Sequence, residues 1–200
     1  MDVAKKDLRF DKRAAKYDGF EGRVSRRFYG LLLEQVKLFP DITVLDVGCG
    51  TGLFLRKMAD ICPINGYGID MSENMAVEAR KKCPEMHIKV SRCESTPFED
   101  QAFDVITTCM AYHHFADQKG FAKEAARILK PGGRLYIADP RFSALVRKPL
   151  NGAFNLLRIA GYIGTAQEIA DNFSEYGFES DSFAFDGYAQ VVTLKLAGKS

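Results

Sequence analysis

No run of about 18 apolar residues occurs anywhere in the 200-residue chain, and Met1 to Asp7 contain no apolar segment of the kind a secretory leader needs. Export and stable membrane insertion are therefore not expected, and the cytoplasm is the expected location. The five cysteines, Cys49, Cys62, Cys83, Cys93 and Cys109, are odd in number and never form a C-x-x-C pair. That pattern excludes a disulfide framework and a zinc site and leaves reduced thiols. A charge excess is missing as well: 28 basic residues face 26 acidic ones, for a formal net charge of +2. So even a balance argues against a general nucleic-acid binder. Low-complexity segments and internal repeats are also lacking.

With 46% hydrophobic residues the chain can bury a substantial core, and its length suits one α/β domain over residues 1–200. Short apolar runs alternate with longer runs of helical spacing. Apolar residues from Val24 to Phe39 predict a helix that Pro40 ends, and Ile42 to Val47 predicts a buried strand. A helix to about Ile61, a strand over Gly66–Asp70 and a Ser72-capped helix over Glu73–Lys82 follow. Met86–Ser91, Phe103–Met110 and Arg134–Asp139 read as further strands, with a helix from Gln118 to Leu129 that stops at Lys130-Pro131-Gly132-Gly133. The tail reads as a helix, Thr165–Tyr176, and an antiparallel hairpin, Phe178–Asp186 with Tyr188–Leu196. Together these imply a doubly wound, mostly parallel sheet of seven strands.

The most informative stretch is Val44-Leu45-Asp46-Val47-Gly48-Cys49-Gly50-Thr51-Gly52-Leu53, a strand ending in an acid and a glycine-spaced turn before a helix. Such a turn brings backbone close to a polar, nucleotide-like ligand. A P-loop would carry Lys followed by Ser or Thr, and none is present; a dinucleotide fingerprint would place its third glycine where Leu53 stands. The segment resembles motif I of the class I S-adenosylmethionine-dependent methyltransferases, nearest the small-molecule branch that includes the ubiquinone and menaquinone biosynthesis enzymes. The resemblance extends from about residue 10 to the carboxyl end. It implies a Rossmann-like methyltransferase fold with S-adenosyl-L-methionine as cofactor.

Ligands of such sheets lie beyond the carboxyl ends of the strands, which makes the residues after each strand the candidates. The resemblance places Asp46, Gly48, Cys49, Gly50 and Gly52 at the aminoacid end of the cofactor, and Asp70, about twenty residues on, at its ribose. Asp70 would also suit a dinucleotide enzyme, or a cap on the next helix. Met71 is expected to pack on the adenine, with Cys93 and Glu94 at the adenine edge. Arg92 departs from the pattern, occupying the place where the family has an acid. Pro97-Phe98 and Phe103-Asp104 match it. Met110 completes the cofactor set after the fourth strand.

The amino-terminal Phe10 to Asp18 resembles the family's lid, within a helical segment of residues 1–40, and Tyr17 is expected to touch the cofactor. Arg23, Arg26 and Arg27 suit either an acidic substrate or a solvated helix face. Residues 141–164, with Phe142, Leu145, Phe154, Leu156 and Leu157, are expected to wall a substrate pocket. His113 and His114 are the catalytic candidates, as acid–base groups, substrate contacts or packing residues, although neighbouring side chains rarely point the same way. No metal ligand set accompanies them. The expected activity is methyl transfer to an O, N, C or S nucleophile of a small-molecule acceptor. A non-catalytic protein that binds S-adenosylmethionine or S-adenosylhomocysteine and an NAD-dependent oxidoreductase are the alternatives.

Overall fold

In the computed structural model the backbone is described for residues 17–157 and 161–198, with side chains from residue 25 onward in those spans. The chain begins with α1 (Tyr17–Gln35) and β1 (Ile42–Val47), then alternates through α2 (Leu53–Ile61), β2 (Ile64–Asp70), α3 (Glu73–Lys82), β3 (His87–Val90) and β4 (Phe103–Cys109). After a single 3-10 turn over Tyr112–His114 come α4 (Gln118–Ile128), β5 (Leu129–Pro140), α5 (Ala144–Leu156), α6 (Ala166–Ser174), β6 (Phe178–Asp186) and β7 (Ala189–Leu196). The seven strands form one sheet in the order β3-β2-β1-β4-β5-β7-β6. β1 to β5 run parallel, and β7 lies antiparallel between β5 and β6.

Local chemistry explains most of these elements. β1 is buried at Ile42, Val44, Leu45 and Val47, as a central parallel strand covered on both faces must be. The start of α3 is capped by Ser72, whose Oγ accepts the Met75 N–H at 3.2 Å; Glu73 in its first turn and Arg80, Lys81 and Lys82 in its last complement the helix dipole. In α2, Phe54, Leu55 and Met58 make one buried face, and the helix closes at Cys62, whose N–H bonds back to Met58. Thr165 and Glu168 form a full capping box on α6.

Two apolar clusters fill the two faces of the sheet. One joins Leu45, Val47, Ile106 and Ile137 to α4 and α6 through Phe121 and Phe173. The other joins Val44, Val105 and Tyr136 to α1, α2 and α3 through Phe28, Leu32, Phe54 and Ala76. The helix expected over Val24–Phe39 begins earlier and ends sooner. Val36 still donates to Leu32, but Phe39 precedes proline and is biased out of the helical region. β5 begins five residues before Arg134, absorbing Pro131, Gly132 and Gly133 in an irregularity of its pairing with β4.

Candidate active site

The strand order reverses direction between β1 and β4, and a crevice opens there at the carboxyl ends of the parallel strands. The glycine loop leaves β1 into it. Gly48, Gly50 and Gly52 have φ of 72°, 53° and 77°, a conformation that side-chain-bearing residues rarely adopt. The loop is tied to β2: Gly48 and Cys49 donate to the Ile69 carbonyl, and Gly50 donates to Asp70 Oδ2 at 2.9 Å. A Cβ at Gly48 would sit 2.6 Å from Ala111 Cβ, and one at Gly52 would press on Ala79 and Cys83. One at Gly50 would meet nothing within 4 Å, so this glycine presents bare backbone to the open side.

The cleft beside the loop is lined by Asp46, Gly48 to Thr51 and Phe54, by Ser25 and Tyr29 of α1, and by Cys109 and Met110 after β4. Asp46 is 2% exposed and accepts the Thr107 hydroxyl at 2.7 Å. Burial pushes its carboxyl up to about 7, against the pull of Thr107, and the neighbouring Asp70 adds to the rise. Two carboxyl groups thus share the end of the loop, and a cationic ligand relieves both. S-adenosylmethionine, with an ammonium and a sulfonium, fits such a cradle.

Asp70 accepts the Gly50 and Ser72 N–H groups at 2.9 Å each, while Ser72 is the residue that caps α3. The carboxylate therefore braces the loop instead of capping the helix. Met71 is 39% exposed beside it. At the next strand end Arg92 pairs with Glu94, and the buried Cys93 thiol donates to the other Glu94 oxygen at 3.4 Å. Burial and the Glu94 charge push that thiol's pKa up, which makes it a packing group. Arg92 thus engages the carboxylate that was expected at the adenine edge. Met110 holds φ 57° while donating to the Ala138 carbonyl, an uncommon backbone for a non-glycine residue at the cleft wall.

His113 and His114 come together, contrary to the usual divergence of neighbours, because the 3-10 turn brings their ring centroids to 3.9 Å. His113 is buried, and its Nδ1 lies 2.7 Å from Oδ1 of Asp139. Asp139 is fully buried at the end of β5; its other oxygen has no hydrogen-bond partner among the described residues, and burial raises its pKa against the pull of His113. Cys109 connects the two halves: its thiol is pushed up by burial and by Asp46 on one side and Asp139 on the other. Sequence reasoning did not include Asp139 or Thr107 in the site. The rule that singled out Asp46 and Asp70, an acid closing a parallel strand, applies equally to Asp139.

Other expectations resolve differently. Arg27 is held by Asp186 at 2.7 Å and lies over the Tyr188 ring, which ties α1 to the β6–β7 hairpin. Leu145, Leu156 and Leu157 of the anticipated pocket wall face solvent instead, because α5 buries its polar side. The lid residues 10–16 and the Tyr17 side chain lie outside the described residues.

A parallel sheet with a reversed seventh strand, a three-glycine loop at its switch point and paired carboxyls beneath defines a Rossmann-like fold built for a cationic nucleoside ligand. The family profile described as "Methyltransferase domain" matches residues 45–137. Demethylmenaquinone methyltransferase of Chlorobaculum parvum is 34% identical over 148 residues, 74% of this chain and 59% of that one. The ubiquinone/menaquinone biosynthesis C-methyltransferase UbiE of Geotalea daltonii is 32% identical over 189 residues, 86% of this chain and 77% of that one. Among solved structures, the methyltransferase in complex with the Haloferax volcanii Trm112 activator superposes with a TM-score of 0.79 at 22% identity, over 94% of this chain and 97% of that one. The chain belongs to the class I S-adenosylmethionine-dependent methyltransferases, in the branch that resembles UbiE. It spans about three-fifths of the length of the Chlorobaculum relative.

Proposed function

We propose that the protein methylates a small-molecule acceptor whose hydroxyl or ring carbon must lose a proton, and that His113 receives that proton. The observation that carries this reading is the buried His113–Asp139 pair, 2.7 Å apart and one residue beyond the level where Cys109 pairs with Ala138. A carboxylate on Nδ1 fixes the ring proton there and leaves Nε2 as the free base. Asp139 lies two strands from Asp46, roughly 10 Å sideways across the sheet. Base and cofactor loop are thus separated by about the space an acceptor needs.

S-adenosylmethionine, when bound, supplies an activated methyl carbon and spares the protein any covalent chemistry. Asp46 and the Gly48–Gly52 loop would hold its aminoacid end, Asp70 its ribose, and Met71, Cys93 and Glu94 its adenine. The remaining task of the chain is alignment and exclusion of water. Tyr29 and Phe54, stacked with centroids 5.5 Å apart, close the cleft from the α1 side. The Chlorobaculum relative is named for demethylmenaquinone and the Geotalea relative for C-methylation in ubiquinone and menaquinone biosynthesis, and a reduced quinone has both an acidic hydroxyl and a nucleophilic ring carbon beside it. A hydroquinone is accordingly the first acceptor to assay.

Thermal shift with S-adenosylmethionine, S-adenosylhomocysteine and NAD tests the cofactor, because a ligand of the native state raises its apparent stability. Stabilisation by NAD alone would overturn the assignment. Methyl incorporation into reduced demethylmenaquinone, compared between the native chain and a His113→Ala variant, tests the acceptor and the base.

A further inference from the structure

Helix α5 has its polar side inward and its apolar side outward. Its buried residues are Arg147, which donates to Glu168 at 2.7 Å and to the Tyr162 hydroxyl at 3.1 Å, and Asn151, which exchanges hydrogen bonds with the backbone of Ile163. The opposite face carries Leu145, Val146, Pro149, Ala153, Leu156 and Leu157, all exposed, with Leu145 and Leu156 at 88% and 84%. At 100° per residue these six form one continuous stripe along three turns. Among the described residues, none of α5 joins either core cluster. A soluble helix normally turns such a stripe toward the core, so this one is built for an apolar surface outside the molecule.

Charge identifies that surface. From residue 141 to 164 the sequence contains no acid, and with Arg147 turned inward and neutralised by Glu168 the cations that the described residues leave exposed there are Arg141 and Lys148. Lys148 is exposed beside the stripe, and Arg141, exposed three residues before the helix begins, lies 4.7 Å over the half-exposed ring of Phe185. An apolar helix face flanked by cations and aromatics is the composition of a helix that lies in the plane of a lipid surface. A second copy is disfavoured because pairing two such faces would oppose like charges. Among the described residues no helix is long and apolar enough to cross a membrane, which leaves interfacial docking.

We infer that α5 is a membrane-surface docking helix that seats the protein on anionic lipid. It starts four residues after β5 ends, at the same edge of the sheet as the glycine loop and the His113–Asp139 pair. Docking therefore brings the mouth of the active site to the headgroup layer, where an acceptor with a long apolar tail would present its ring.

Flotation of the full chain with phosphatidylcholine vesicles and with equimolar phosphatidylcholine–phosphatidylglycerol vesicles reads the docking directly. Binding is expected to the mixed vesicles, weakened by salt and much lower on phosphatidylcholine alone. The double variant Leu145→Glu/Leu156→Glu is expected to lose more than about tenfold in partitioning, and Lys148→Ala about fivefold. Both changes fall on exposed positions, so circular dichroism melting and the thermal shift with S-adenosylmethionine are expected to match the native chain. Failure of the native chain to float with mixed vesicles, or full flotation of the double-Glu variant, overturns the inference. A native dimer in light scattering that the double-Glu variant abolishes reassigns the stripe to a second copy and overturns it too.

Discussion

Replacing Asp139 by asparagine separates a catalytic pair from a packing pair, because the two roles predict opposite patterns of damage. In the native chain Asp139 Oδ1 lies 2.7 Å from His113 Nδ1, with both side chains buried. An amide there either donates to Nδ1, which moves the ring proton to Nε2 and removes the base, or turns its NH2 away and leaves it without an acceptor. Loss of a positioned general base costs about 10²–10⁴ in rate, equivalent to roughly 3–5 kcal/mol of barrier. Stability moves in the other direction. Burial raises the Asp139 pKa above its unfolded value, so its ionisation destabilises the fold progressively as pH rises through the folded value. Removing that charge offsets most of the about 1–3 kcal/mol that an unsatisfied amide costs, and the net change is held under about 2 kcal/mol. For a chain of this size that is a shift in Tm of at most about 4–8 °C. The assay is initial rate against pH with the methyl acceptor, resolved into kcat and KM, beside a melting curve at each pH. The expected result is a collapse of kcat, largely unchanged KM, loss of the basic group from the pH profile and a near-native Tm. An unchanged kcat, or activity and Tm falling together, would refute the reasoning.

Gly48→Ala is expected to abolish the thermal shift given by S-adenosylmethionine, since the new methyl group would lie 2.6 Å from Ala111 in a left-handed backbone costing about 1–2 kcal/mol by itself. Gly50→Ala has the same backbone cost and no clash, so its Tm in the absence of ligand is expected to stay above that of Gly48→Ala while its cofactor affinity still falls. For Asp46 the folded carboxyl titrates at about 7, above its ordinary 3.8, so the fold is most stable at low pH with respect to this group and loses stability as pH rises through 7. The ceiling on that loss is about 4 kcal/mol, and Asp46→Asn is expected to flatten the Tm profile between about pH 4 and 7 while weakening the cofactor shift. A profile of the variant as steep as the native one counts against burial as the source of the shift.

The sheet was legible because its strands are short apolar runs closed by acids and glycines. The bounds of β1 and α3 coincide with those read from Ile42–Val47 and from the Ser72 cap. The loop was legible for a similar reason: three glycines at alternate positions have few uses other than close approach. What sequence could not show is pairing across distance. Asp139 and His113 are 26 residues apart, and Thr107 and Asp46 are 61 apart. The orientation of α5 was equally hidden, since its apolar positions suit a pocket wall until Arg147 and Asn151 are seen to take the inner face.

Burial and neighbouring charge hold the thiols of Cys49, Cys83, Cys93 and Cys109 well toward their protonated forms. Cys62, half-buried at the far end of α2, is open to solvent where Cys49, Cys83 and Cys93 are buried. Near-neutral maleimide chemistry is therefore directed to this one sulfur in the unmodified protein. The helix beneath it runs nine residues, roughly 14 Å, straight from the glycine loop. A dye placed there becomes a single optical probe of loop occupancy, with the native sequence intact and the active-site thiols left unlabelled.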